Sequence, residues 1–111
     1  MYVNGGLNEH RDAAKAAADT VRIGTGTTAP TSADTTLGTQ VLSKDASAVD
    51  GAVGIAVISC RLGTADANGS DLTECGVQSS TQMMTHSLHA TLEKTSAFEA
   101  EYEITLKAVN K

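Results

Sequence analysis

The chain has 111 residues, of which 41 % are apolar and only 3 % are aromatic, and its formal net charge is −5. A chain of this length forms one domain and buries roughly 60–68 % of its unfolded surface without disulfides or metals. The acidic balance argues against a nucleic-acid partner or an anionic membrane, because either would call for clustered Lys and Arg.

The first predicted element is a helix in the alanine-rich segment of residues 4–19. Leu7 is its only large apolar side chain, so this helix buries little by itself. We therefore divide the chain into an N-terminal helical arm, residues 1–20, and a β domain, residues 21–111. The arm is expected to mediate assembly, with Leu7 and Arg11 on one helical face as the contact residues.

The next segment, residues 23–39, reads IGTGTTAPTSADTTLGT and contains the only proline of the chain. It lacks the third glycine of a dinucleotide-binding loop, and no Gly-Lys-Ser/Thr follows, so phosphate binding is not favoured. Its turn residues predict an ordered long loop, with one short strand inside the wider region of residues 24–51. Within the loop we select candidate assembly contacts, namely Thr25, Thr27, Pro30 and Leu37.

Four further extended segments follow. Residues 53–62 are mainly apolar and include four β-branched side chains, which predicts a central strand covered on both faces. Residues 63–71 predict a hairpin loop, after which LTECGVQ resumes extended structure. From Met84 onward the alternation predicts a strand with Met84, His86, Leu88, Ala90 and Leu92 on its apolar face.

The last predicted strand covers residues 98–108 and has the cleanest period of two in the chain. The alternation assigns Phe98, Tyr102, Ile104 and Leu106 to the core. It assigns Glu99, Glu101 and Glu103 to the solvated face. Several strands separated by turns, with no helices between them, predict a mainly β fold, an antiparallel, jelly-roll-like β-sandwich.

The cysteines and histidines do not predict a zinc site. Residues three apart in a strand point to opposite faces, so His86 and His89 cannot chelate one ion. We expect His86 to be a hydrogen-bonded core or interface residue and His89 to be a solvated surface group. Cys60 and Cys75 are interpreted as buried small hydrophobes, and a disulfide between them stays open.

No other constellation predicts catalysis or metal binding. The loop of residues 66–71 has oxygen ligands at alternate positions, but Asp71 stands where a calcium loop needs glycine and Val77 where it needs glutamate. The three glutamates of the last strand alternate with apolar residues, and no serine or cysteine lies in a nucleophile-elbow motif. We expect no enzyme activity, no cofactor and no bound metal.

Three segments together carry a resemblance to a known group. They are RIGTGTTAPTSADTTLGTQV, LTECGV and HATLEKTSAFEAEYEITL, and the opening NGGLNEHRDAAK adds to them. They resemble small structural proteins of tailed phages and of archaeal tailed viruses. The likeness extends over residues 4–107.

The resemblance implies a virion component, and its leading form is a capsid decoration or turret protein on the outer head surface. The implied partners are further copies of the chain, as a trimer or pentamer, and the major capsid protein or a neighbouring virion protein. An acidic surface suits the capsid exterior better than a face toward packaged DNA. The alternatives are a tail-fibre or baseplate component and a glycan-binding host-recognition module, and neither a nucleic-acid nor a membrane partner is expected.

Overall fold

The computed structural model describes residues 3–108 and is mainly β, with one short N-terminal helix and two antiparallel sheets. The elements are α1 (Asn4–Ala17), β1 (Thr20–Gly24), β2 (Gln40–Asp45), β3 (Ser47–Asp50), β4 (Ile55–Leu62), β5 (Asp71–Gln78), β6 (Ser87–Glu93) and β7 (Ala100–Lys107). The four-stranded sheet has the order β2-β1-β5-β6, and the three-stranded sheet has the order β3-β4-β7.

The N-terminal helix was predicted correctly, although it ends at Ala17 rather than at residue 19. Ala18 has extended backbone, and Asp19 then donates its N–H to the carbonyl of Gln78, which draws the chain into the four-stranded sheet. No side chain caps the start of the helix. The described part of the chain holds no helix with the length and apolarity that crossing a bilayer requires.

The two sheets share one buried apolar cluster. The four-stranded sheet contributes Val21, Ile23, Leu72 and Val77, and the three-stranded sheet contributes Ala56, Ile58, Cys60 and Leu62. The predicted central strand is confirmed as β4, which lies between β3 and β7, but its predicted coverage on both faces was wrong. Ala56, Ile58, Cys60 and Leu62 are buried, whereas the alternate residues are partly exposed because only one face packs on the other sheet. The strand begins at Ile55 because Gly54 has a φ of 71° and belongs to the preceding turn.

The last predicted strand is present as β7, but its apolar side chains are less buried than predicted. The strand begins at Ala100, and Phe98 lies before it. Phe98, Tyr102, Ile104 and Leu106 are half-buried rather than fully buried. The reason is that β7 is an edge strand, so no further strand screens its outer side.

The strand predicted from Met84 begins only at Ser87, and its predicted alternation was wrong. Leu88, assigned to the apolar face, is 39 % exposed. The partner strand β5 contains a register shift between Leu72 and Glu74, and this irregularity changes which residues of β6 face inward. His89 was expected to be solvated, but it is half-buried and its Nε2 lies 2.9 Å from the Tyr102 hydroxyl.

The region of residues 24–51 contains two strands where one was predicted. Strand β2 pairs with β1 in the four-stranded sheet, whereas β3 pairs with β4 in the other sheet. The single residue Ala46 separates them, and its N–H is bonded to the carbonyl of Asp19. The chain therefore changes sheets at this point.

Candidate functional site

The most unusual group in the molecule is the carboxylate of Glu74, whose residue is fully buried. Strand β5 pairs Glu74 with Gly24 and Cys75 with Ile23. Ile23 faces the apolar cluster, and neighbouring residues of a strand point to opposite faces. Glu74 therefore lies on the outer face of the four-stranded sheet, away from the apolar core.

The β1–β2 loop, residues 25–39, covers this outer face. Three of its backbone N–H groups donate to the Glu74 carboxylate: Gly26 to Oε2 at 2.6 Å, Thr39 to Oε2 at 2.8 Å and Gly38 to Oε1 at 2.8 Å. The two ends of the loop are also joined, because the N–H of Thr25 donates to the carbonyl of Thr39. The loop is thus an anion-binding cradle whose anion is the protein's own side chain.

The glycines of the threonine-rich segment make room for this carboxylate. A Cβ added at Gly24 would lie 2.6 Å from Oε2 of Glu74, and one at Gly26 would be closer still. A Cβ at Gly38 would stand 3.5 Å from Oε1, which is an ordinary contact, so the close approach concerns Gly24 and Gly26. The glycine spacing that resembled a phosphate loop is therefore required by the close approach of Glu74.

His86 completes the site as a link between two carboxylates. Its Nε2 lies 2.9 Å from Oε1 of Glu74, and its Nδ1 lies 2.7 Å from Oδ2 of Asp34 in the loop. A neutral imidazole has only one N–H, so both contacts are hydrogen bonds only when the ring is protonated. The His86 side chain is only 7 % exposed and hydrogen-bonded, as expected, but it lies on the outer face of the sheet and not in the apolar core.

The pKa values of the three groups favour this charged arrangement. Burial alone would raise the pKa of Glu74, but the hydrogen bonds from Thr39, Gly38, Gly26 and His86 outweigh it and hold that pKa below its usual value. Burial would likewise lower the pKa of His86, but the two carboxylates raise it overall. The pKa of Asp34 is lowered, first by the N–H of Thr31 and then by His86.

The hydrogen bonds of this site hold the β1–β2 loop on the outer face of the sheet. Each Glu74 oxygen accepts two hydrogen bonds, and Asp34 also accepts from the backbone and the hydroxyl of Thr31 at 2.9 Å. Leu37 is 5 % exposed and lies over Gly76 on the same outer face. We name the set of Asp34, Leu37, Glu74 and His86 the loop anchor; it fixes the loop backbone from beneath.

The six residues selected as assembly contacts do not form one cluster. Thr27 and Pro30 are exposed on the loop, Thr25 is half-buried, and Leu37 is buried as part of the loop anchor. Leu7 and Arg11 lie on α1, outside the loop. The Nε of Arg11 lies 3.4 Å from Oδ1 of Asp50 in β3. A role of these residues in assembly stays a prediction.

Two lysine side chains contact oxygen atoms of the loop of residues 66–71. Lys44 lies 2.7 Å from Oδ2 of Asp66, which also accepts the N–H of Gly63. Lys94 is 1 % exposed and donates to Oδ1 of Asn68 at 3.0 Å. Within residues 3–108, no group of three or more His, Cys, Asp or Glu side chains is arranged to hold a metal ion.

The remaining candidate residues lie as follows. Glu99, Glu101 and Glu103 are exposed, as predicted, and the first two lie 3.7 and 3.0 Å from the guanidinium of Arg61. Cys60 and Cys75 are both buried free thiols. Burial, followed by the proximity of Cys75, raises the pKa of Cys60 to about 11, so this thiol is held in its neutral, unreactive form.

Sequence reasoning missed the central residue of the loop anchor. Glu74 stands 35 to 48 residues from the backbone groups that it binds, so no local spacing links them. The available signal was a carboxylate between the apolar residues Leu72 and Cys75 of a strand, which demands hydrogen-bond donors, combined with three glycines in the distant segment of residues 23–39.

Comparisons with protein-family models, with curated proteins and with solved structures find no match to this chain.

Proposed function

We propose that this chain is a virion structural protein, a capsid decoration protein that binds the outer surface of the head as a homo-oligomer. We infer in addition that its two sheets form a jelly-roll-like sandwich. The resemblance of residues 4–107 to structural proteins of tailed viruses supplies the class of protein. The site described above supplies the way in which the protein would bind.

The observation that carries the proposal is the loop anchor beneath an exposed polar loop. Thr27, Thr28 and Pro30 are exposed on the β1–β2 loop, whereas the backbone that bears them is held by a buried carboxylate. A loop that is already fixed loses little conformational entropy when it binds, so its contacts contribute more fully to affinity. Repetition in a symmetric oligomer then multiplies weak contacts.

The charge supports the outer surface of the head. The net charge of −5 opposes contact with packaged DNA but leaves binding to a protein lattice open. A decoration protein acts by burying surface across the joints between capsid subunits, so heads that carry it should rupture at a higher temperature than heads from which it has been stripped.

The test begins with particles purified from a culture that expresses the gene. Quantitative mass spectrometry should find hundreds of copies of this chain per particle. A handful of copies would transfer the protein to a tail fibre or baseplate, and none would overturn the virion assignment.

The second arm tests the loop. Stripped heads are mixed with recombinant protein, and the bound fraction and the rupture temperature are measured. Thr27→Arg should reduce binding, whereas Thr64→Arg, at another exposed threonine outside the loop, should not. Equal binding by both variants would contradict the loop as the contact surface, and an unchanged rupture temperature would contradict cementing.

A further inference from the structure

The outer face of the three-stranded sheet is apolar at its centre. Register places Val49, Val57 and Thr105 in one row across β3, β4 and β7, with Ile55 beside Lys107 in an adjacent row. Val49 is 54 % exposed. Val49, Ile55 and Val57 belong neither to the apolar cluster nor to the residues packed against it.

Helix α1 does not cover this face. The helix reaches the sheet through Asp50, which Lys15 contacts at 2.5 Å and Arg11 at 3.4 Å. Asp50 is the register partner of Ala56, which is fully buried in the core. The helix therefore lies on the inner side of the sheet, and the row of Val49, Val57 and Thr105 stays open.

The charges around this row are arranged symmetrically about it. On β7, Glu103 lies two residues before Thr105 and Lys107 lies two residues after it. Both side chains point to the same outer face and are exposed. Neither makes an ion pair with another described residue, in contrast to Glu101, which is 3.0 Å from Arg61.

We propose that a second copy of this chain packs on this face as a two-fold dimer. A two-fold axis along the row turns β4 and β7 end for end, which puts Val49 against Val49 and Val57 against Val57. The same rotation puts Lys107 of each copy opposite Glu103 of the other. The face is thus complementary to itself in apolar area and in charge, as an interface between identical surfaces requires.

This dimer rests on the proposed homo-oligomer and specifies one of its contacts, but the dimer and the virion role can be tested separately. Copy number in virions can be zero while the purified protein is a dimer, and a protein abundant on heads can be monomeric in solution. The test is sedimentation equilibrium of the purified full chain over a range of concentrations, with a thermal melt of each variant to show that it is folded. We expect a dimer for the unaltered chain; a monomer at every concentration would overturn the proposal.

Charge reversal supplies the decisive comparison. Glu103→Lys and Lys107→Glu should each raise the dimer Kd by at least about tenfold, because each places like charges opposite one another. The double variant E103K/K107E should restore the dimer, since the pairing is then reversed but complementary. Dissociation that the double variant does not repair would overturn the two-fold arrangement.

The apolar centre has a matched control. Val49→Lys places two lysines against each other on the axis and should dissociate the dimer. Val41→Lys changes a valine that is 42 % exposed on β2, an edge strand of the other sheet, and should leave the dimer intact. An equal effect of the two variants, or no effect of Val49→Lys, would exclude this face as the interface.

Discussion

At the scale of single residues, the loop anchor is built around Glu74. Removing a carboxylate from water is costly unless the charge gains hydrogen bonds that replace its hydration. Glu74 gains four such bonds, three from backbone N–H groups and one from His86. A buried charge can therefore lie on the outer face of a sheet, because the covering loop supplies the donors.

The first prediction is that Glu74→Gln destabilises the protein by about 3 kcal/mol. The substitution keeps the shape of the side chain but removes the charge, and it turns an amide N–H₂ toward backbone N–H donors. Chemical denaturation should show the loss. Glu93→Gln, at an exposed carboxylate on β6, is the control and should change stability little. Equal effects at the two positions would contradict the buried role of Glu74.

The second residue-scale prediction concerns pH and His86. Because the pKa of His86 is raised above 6.5 in the folded protein, its contribution is complete below pH 6.5 and is lost as pH rises through the folded value. The lowered pKa of Glu74 acts in the opposite sense, so its contribution is complete above about pH 4.5 and is lost in acid. The loop anchor is strongest between these limits.

The measurement is the melting temperature from about pH 6 to about pH 8, below the ordinary thiol pKa of about 8.5. The unaltered chain should lose stability over this range. His86→Gln can still form hydrogen bonds but does not titrate, so its melting temperature should be lower and flatter with pH. A slope that survives in His86→Gln would assign the pH dependence to another group.

At the scale of elements, the sequence predicted those parts of the fold that local pattern determines. Helix α1 follows from an alanine-rich run, and β4 follows from eight consecutive strand-forming residues between turn signals. Strands β6 and β7 were located, but their burial was not, because the register shift at β5 and the position of β7 at a sheet edge arise from pairing with distant strands.

The loop anchor shows the same limit more sharply. The glycines and Asp34 were visible in the sequence as turn formers, and Leu37 as an apolar residue in a polar loop. Glu74 binds the N–H groups of Gly26 and Gly38, and His86 binds Asp34, but both partners lie in distant parts of the chain that only the folded sheet brings to the loop. Tertiary hydrogen bonds of this kind have no sequence period by which they could be recognised.

The prediction at this scale compares two glycines. Gly26→Ala places a methyl group against Oε2 of Glu74 and 3.0 Å from Cα of Gly38, so it should displace the loop and lower the melting temperature. Gly5→Ala, in the first turn of α1, meets no atom within 4 Å and should stabilise the helix by at most about 0.5 kcal/mol, the lower end of the range for helix interiors. A Gly26→Ala protein as stable as the unaltered chain would mean that the loop accommodates the added methyl group without strain.

At the scale of the whole molecule, the question is whether the two sheets need α1 in order to stay folded. None of its residues is buried, yet Asn8 accepts the N–H of Gly54 at 3.1 Å and two basic side chains reach Asp50. The hydrogen bond to Gly54 is half-buried, but Asp50 is exposed, and ion pairs to an exposed carboxylate contribute little to stability. The two sheets, by contrast, share the apolar cluster that supplies most of the stability.

The last prediction is therefore that deleting residues 1–17, with Ala18 retained against the core, leaves a folded two-sheet protein. Its melting temperature should fall by less than that of Glu74→Gln, because the deletion removes no fully buried side chain. If the helical arm mediates the homo-oligomer proposed for the virion, the shortened chain should lose head binding while the dimer through the three-stranded sheet persists in sedimentation. Loss of the folded state on deletion would show instead that α1 is an integral part of the domain.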